Sequence, residues 1–133
     1  MKTEKPTSAF VTAAWVALLI GMLTYIIGLW NASMLLSEKG FYLVLLMFGL
    51  FGAVSVQKSV RDQLEDVPVS SLYYGISWAA TLIPILLLMI GLWNAEILLS
   101  EKGFYAVSFV LSLFAAVVVQ KNTRDSQPTN ALA

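Results

Sequence analysis

The residues with chemistry to offer in this chain sit in short polar runs between long apolar ones. Glu38 and Lys39 stand side by side, and Glu101 and Lys102 repeat the pair 63 residues later. Asn31 and Asn94 precede the pairs at matching positions, and Ser37 and Ser100 adjoin them. A carboxylate beside an ammonium offers ion pairing or partner recognition. Neighbours on a helix do not face each other, so Glu38 and Lys39 are not expected to pair within one copy. Two opposed copies would instead bring Glu38 to Lys102 and Lys39 to Glu101. Exposed pairs of that kind contribute only about 0–1 kcal/mol.

Beyond these groups the catalytic repertoire is thin. The chain has neither cysteine nor histidine, which removes thiolate chemistry, the commonest general base and the commonest transition-metal ligand. No nucleophile–base pair is in view. The expectation is therefore a protein that is not an enzyme, with no catalytic residue, metal site or cofactor. The formal net charge is zero, so no global field points to nucleic acid.

The elements that must position these groups are set by hydropathy. Of 133 residues, 59% are hydrophobic and only 12% charged, with a mean hydropathy of +0.80. A water-soluble fold of this size could not hide that much apolar surface. The natural solvent is a bilayer, which a helix crosses with about 20 apolar residues. Ala9–Leu29 and Leu72–Leu92 qualify outright; Phe41–Val56 and Tyr105–Val119 are shorter and end on Gln57, Lys58 and Gln120, Lys121. Helices are expected because unpaired backbone groups in lipid cost several kcal/mol each. Lys2 and Lys5 ahead of the first stretch suit a leader peptide, but its counterpart at Leu72 is internal, so the spanning reading is preferred.

Shifting the chain by 63 residues aligns it with itself. Gly28–Tyr42 and Gly91–Tyr105 agree at thirteen of fifteen positions, whereas Ser8–Ile27 and Ser71–Ile90 agree at seven of twenty. The connector has diverged less than the spans. Residues 56–62 repeat as 119–125, so the unit is helix, connector, helix and basic exit. Two spans per unit return the chain to its starting side, which makes the repeats parallel, related by a pseudo-two-fold along the membrane normal. The expected segments are a terminus over 1–8, repeats over 9–62 and 72–125, a linker over 63–71 and a disordered tail over 126–133. Pro68 closes the linker to helix, and Ser70 or Ser71 can cap the third span. Lys2, Lys5, Lys58, Arg61, Lys121 and Arg124 lie on one side, against Lys39 and Lys102 on the other. That asymmetry puts the termini and linker in the cytoplasm.

At "GLWNA…LSEKGFY" and "VQK..RD" the chain resembles the YiaA/YiaB two-helix family of bacterial inner-membrane proteins, most closely its four-span members. The resemblance runs from about Ser8 to Asp125. It implies an inner-membrane location and the two-helix repeat, and no chemistry.

Each motif then has a structural and a functional reading. In the structural one, Trp30 and Trp93 anchor at the interface, Asn31 and Asn94 satisfy freed carbonyls, and Gly40 and Gly103 take left-handed helix ends. The Ser-Glu-Lys runs are then solvated turns. In the functional one, these residues and Glu96 form a recognition surface or shared cap. Glu96 has Ser33 as its counterpart and lies three residues past Trp93, so an interfacial place is expected; buried, it would mark a functional site. Gly49 and Ala53, matched by Ser112 and Ala116, form a small-residue seam for helix packing, and Ala13, Ala17 and Gly21 suggest another. Pro84, opposite Gly21, suggests a kink. The basic exits read as anchors on an anionic leaflet. The spans carry neutral hydroxyls but no ionisable group of the kind a proton-coupled exporter needs. The preferred reading is an all-α, four-span structural or accessory protein whose partners are membrane lipid, a second copy or another inner-membrane protein. A small oligomeric transporter or pore is the alternative.

Overall fold

The computed structural model describes residues 5–127. Four helices fill it: α1 (Ser8–Asn31), α2 (Leu36–Leu64), α3 (Ser71–Asn94) and α4 (Leu99–Ser126). All four are long and apolar enough to cross a membrane. No strand occurs among the described residues. The Thr7 and Ser70 hydroxyls accept from Phe10 N and Tyr73 N, capping α1 and α3 as the serine before the third span predicts.

The second and fourth helices begin earlier than hydropathy suggests, at Leu36 and Leu99, inside the connector. Ser37, Glu38, Lys39 and Gly40 therefore form the first turn of α2, not a solvated turn, and residues 100–103 do the same for α4. Gly40 and Gly103 are helical, and no glycine among the described residues has a positive φ. The actual connections are short, residues 32–35 and 95–98. At the other end α2 continues to Leu64, and the chain turns at Asp66 (φ 60°) before Pro68. Asp125 and Ser126 are still helical; residues 128–133 of the expected tail lie outside the described residues. α3 continues through Pro84, whose side chain is fully buried.

The hairpins do not pack on themselves. α1 lies mainly against α4, α2 mainly against α3, and α2 and α4 meet at the centre, while partners within one hairpin barely touch. Small residues explain this choice. A Cβ on Gly21 would stand 2.6 Å from Ser112 Oγ, and one on Gly49 would stand 3.0 Å from the Phe109 ring. Gly52, which the seam expected at Gly49 and Ala53 did not include, lets α2 meet the α3 backbone at Ala80 and Thr81. Ala53, Ser112 and Ala116 are buried as well. In the first-helix stripe Gly21 is buried and Ala17 half-buried as expected, but Ala14 takes the buried place expected for Ala13, which is exposed.

Each repeat thus supplies half of every large interface. Residues 1–67 and 68–133 expressed as separate chains should each fail to accumulate alone, and should co-purify when produced together. Detergent extraction followed by affinity purification of one half checks this; full accumulation of either half alone would contradict the interlocked packing.

Candidate functional site

The polar residues gather at the two ends of the bundle. At the connector end, Glu38 Oε1 accepts from Leu35 N (3.0 Å) and Glu101 Oε1 from Leu98 N (2.9 Å). Each glutamate satisfies a donor at a helix start and complements the local dipole. Lys39 Nζ donates to the Trp30 carbonyl (2.9 Å) and Lys102 Nζ to that of Trp93 (3.3 Å). These lysines latch the end of one helix to the start of the next. The cross-repeat pairs expected between Glu38 and Lys102 and between Lys39 and Glu101 are therefore not made. The reason is geometric: each side chain finds a backbone partner within its own hairpin.

Asn31 and Asn94 donate to the Ile27 and Ile90 carbonyls at 2.9 Å, one turn back within their own helices, and not to the carbonyls left free at the helix ends. Trp30 and Trp93 are exposed, as are Ser37, Ser100 and Glu96. Glu96 shares a shallow depression of about 320 Å³ with Ser33, Glu38 and Asn94. Beneath lies an aromatic cluster that sequence reasoning missed. Tyr25 packs edge-on to Tyr105 at 5.7 Å between ring centroids and donates to the Tyr42 carbonyl (2.8 Å). Tyr105 donates to the Gly28 carbonyl across the repeats (2.9 Å). Dyad spacing cannot disclose this, because Leu88 occupies the position equivalent to Tyr25.

The opposite end carries cross-repeat ion pairs. Arg61 donates to Asp125, and Arg124 donates to Asp62 (2.5 Å) and Glu65 (2.9 Å). Arg61 also holds Glu65 (2.7 Å), while Lys58 holds Asp62 (2.8 Å) and Lys121 holds Asp125 (2.7 Å). The aspartate side chains keep 7% and 5% of their exposure and the arginines 13% and 19%, so this is a desolvated clasp. Arg61 and Arg124 are thereby committed to protein partners, which corrects their reading as lipid anchors; Lys58 and Lys121 remain half exposed. The repeated Arg-Asp dipeptide was the available signal, but sequence distance gave no sign that the partners cross. One turn inside the clasp, Asn122 is buried with no hydrogen-bond partner for its amide among the described residues, where the first repeat has Ser59 bonded to the Ser55 carbonyl.

The clasp lies beyond the apolar stretches Phe41–Val56 and Tyr105–Val119, where its carboxyls can exchange protons with water. The bond from Lys58, followed by that from Arg124, holds the Asp62 carboxyl below its ordinary range, and Glu65 is lowered chiefly by Arg61. For Asp125 burial pushes upward, yet Lys121 and Arg61 outweigh it and the net shift is down. A carboxyl lowered in the folded state stabilises fully above its unfolded value of 3.8 for aspartate, and loses that contribution as pH falls through the lower folded value. The unfolding midpoint should therefore hold between pH 7 and 5 and drop below about pH 4. Acid titration of thermal unfolding in detergent checks this, with Asp125→Asn flattening the acid limb.

The sequence profile of the yiaA/B two helix domain matches residues 10–62 and again 73–125. The chain is 55% identical over 125 residues to Inner membrane protein YiaA of Escherichia coli, covering 94% of this chain and 86% of the relative. It is 36% identical over 115 residues to Inner membrane protein YiaB of the same organism, covering 86% and 92%. A third relative, Uncharacterized membrane protein YubF of Bacillus subtilis, is 39% identical over 64 residues, covering 47% of this chain and 74% of the relative. No solved structure matches.

Proposed function

The chain belongs to the yiaA/B two-helix domain family, and from that premise we propose that it is a structural or accessory protein of the bacterial inner membrane. Its termini and linker face the cytoplasm and its two connectors face outward. The observation that carries the reading is how the ionisable residues around the spans are used. Glu38 and Glu101 cap helices, Lys39 and Lys102 latch hairpins, and Arg61, Asp62, Glu65, Arg124 and Asp125 clasp the repeats. Groups occupied in holding the bundle together suit a scaffold better than a translocation path. The partner is a second copy or another inner-membrane protein, met through the exposed face around Trp30, Trp93 and Glu96.

The test uses the absence of native cysteine. Single cysteines at Ser37, Ser100 and Ser126, all exposed in the fold, are treated with a membrane-impermeant maleimide in intact cells and after purification. Cytoplasmic termini require no labelling of Ser126→Cys in cells. A partner on the outer face requires Ser37→Cys and Ser100→Cys to react in the purified protein and be shielded in cells. Equal connector labelling in both settings removes the partner, and labelling of Ser126→Cys alone inverts the orientation.

A further inference from the structure

The interlocked packing leaves a crevice inside the first hairpin, because α1 and α2 barely touch. A pocket of about 250 Å³ opens there, between Ile26, Leu29 and Trp30 on α1 and Leu36, Gly40 and Leu43 on α2, with Lys39 beside them. Its walls are graded in depth. Ile26 and Leu43 lie one turn further into the apolar stretch than Trp30 and Lys39, so the pocket is apolar inside and cationic at its mouth.

Gly40, and the donors of Lys39 that its latch to Trp30 leaves over, are not used by the chain's own packing. Gly40 sits in a helix, where glycine is disfavoured by about 1 kcal/mol relative to alanine. Its φ is not positive, and a Cβ there would meet nothing within 4 Å. The glycine therefore serves no turn and no helix contact; it leaves the floor of the groove bare. Lys39, in turn, has no ion-pair partner among the described residues. It spends one of its three donors on the Trp30 carbonyl. The adjacent Glu38 is occupied with Leu35 N.

We propose that this groove binds an anionic membrane phospholipid, with an acyl chain over Gly40 and the lipid phosphate on Lys39. An apolar slot ending in an unpaired ammonium at the level of an interfacial tryptophan matches the order of groups along a phospholipid, from chain to phosphate. The second hairpin repeats the bare glycine and the latching lysine at Gly103 and Lys102, and it differs in the wall of the slot. In the second, Leu43 is replaced by Ala106, which opens onto a broad apolar depression with Val107, Val110 and Phe114. The inference holds whichever side the termini face.

The test uses the full chain with Trp15, Trp78 and Trp93 changed to phenylalanine, so that Trp30 reports alone. It is placed in phosphatidylcholine nanodiscs containing a small fraction of phosphatidylglycerol brominated on its acyl chains. Site binding predicts saturating quenching of Trp30 beyond that given by the same fraction of brominated phosphatidylcholine, with about fivefold preference for the anionic lipid. Gly40→Leu, which fills the groove, should abolish the excess, and Lys39→Gln should remove the preference. Gly40→Ala, a single methyl in open space, checks that the helix tolerates a side chain there and should keep more quenching than Gly40→Leu. Quenching that is equal for the two lipids, or that either Gly40→Leu or Lys39→Gln leaves intact, means annular lipid only and overturns the proposal.

Discussion

Asp125→Leu is expected to destabilise the bundle by roughly 3 kcal/mol, and adding Arg61→Leu should recover a large part of that loss. Removing one partner of a desolvated pair strands the other charge, which costs about 3–5 kcal/mol, whereas removing both costs far less. Asp125 holds Arg61 across the repeats and Lys121 on its own helix. Its loss therefore leaves a guanidinium of 13% exposure with only the Glu65 carboxylate. Half-exposed Lys121 turns to solvent at little cost. Arg124 keeps Asp62 and Glu65, so the second strand of the clasp remains. The measurement is a double-mutant cycle on reversible unfolding in mixed micelles at pH 7. A coupling near zero between positions 61 and 125 would mean that the clasp decorates a bundle held by apolar packing alone.

Gly52→Val should do more damage than any other single change in the membrane-embedded core. A Cβ at Gly52 would overlap the Ala80 carbonyl and stand 2.6 Å from Thr81 N. Those atoms are α3 backbone and cannot rotate aside, so α2 and α3 would have to separate over their largest shared surface. Overpacking costs about 1–3 kcal/mol where side chains can adjust, and a loss of about 3 kcal/mol or more is expected where they cannot. The effect should fall on helix association rather than helix content, because a span in lipid stays helical when it loses its neighbour. Thermal aggregation and proteolytic nicking of the linker would report it, with far-UV dichroism unchanged. Gly40→Ala should be neutral or slightly stabilising, since nothing lies within 4 Å. Equal effects at the two sites would contradict the close approach of α2 to α3.

Three of the glycines at contact sites show what kind of information a sequence carries. Gly21, Gly49 and Gly52 look alike along the chain, yet one meets Ser112, one Phe109 and Leu113, and one the backbone of Ala80. Small residues announce a close approach and not the surface approached. The same holds for Arg61 and Asp125, whose partnership spans 64 positions.

The solvent, the number of spans, the duplication and the parity that makes the repeats parallel are all legible in residue order. Hydropathy is a local sum, and a repeat is a property of order alone. Where α2 and α4 begin was not legible, because the polar residues of a capped first helical turn have the composition of a loop. Which helix lies on which depended on three dimensions. α1 chooses α4, and α2 chooses α3, through the fit of glycine against serine or backbone and the closure of charges between the repeats. That fit is a sum over pairs far apart in sequence, and it exists only once both repeats are folded against each other.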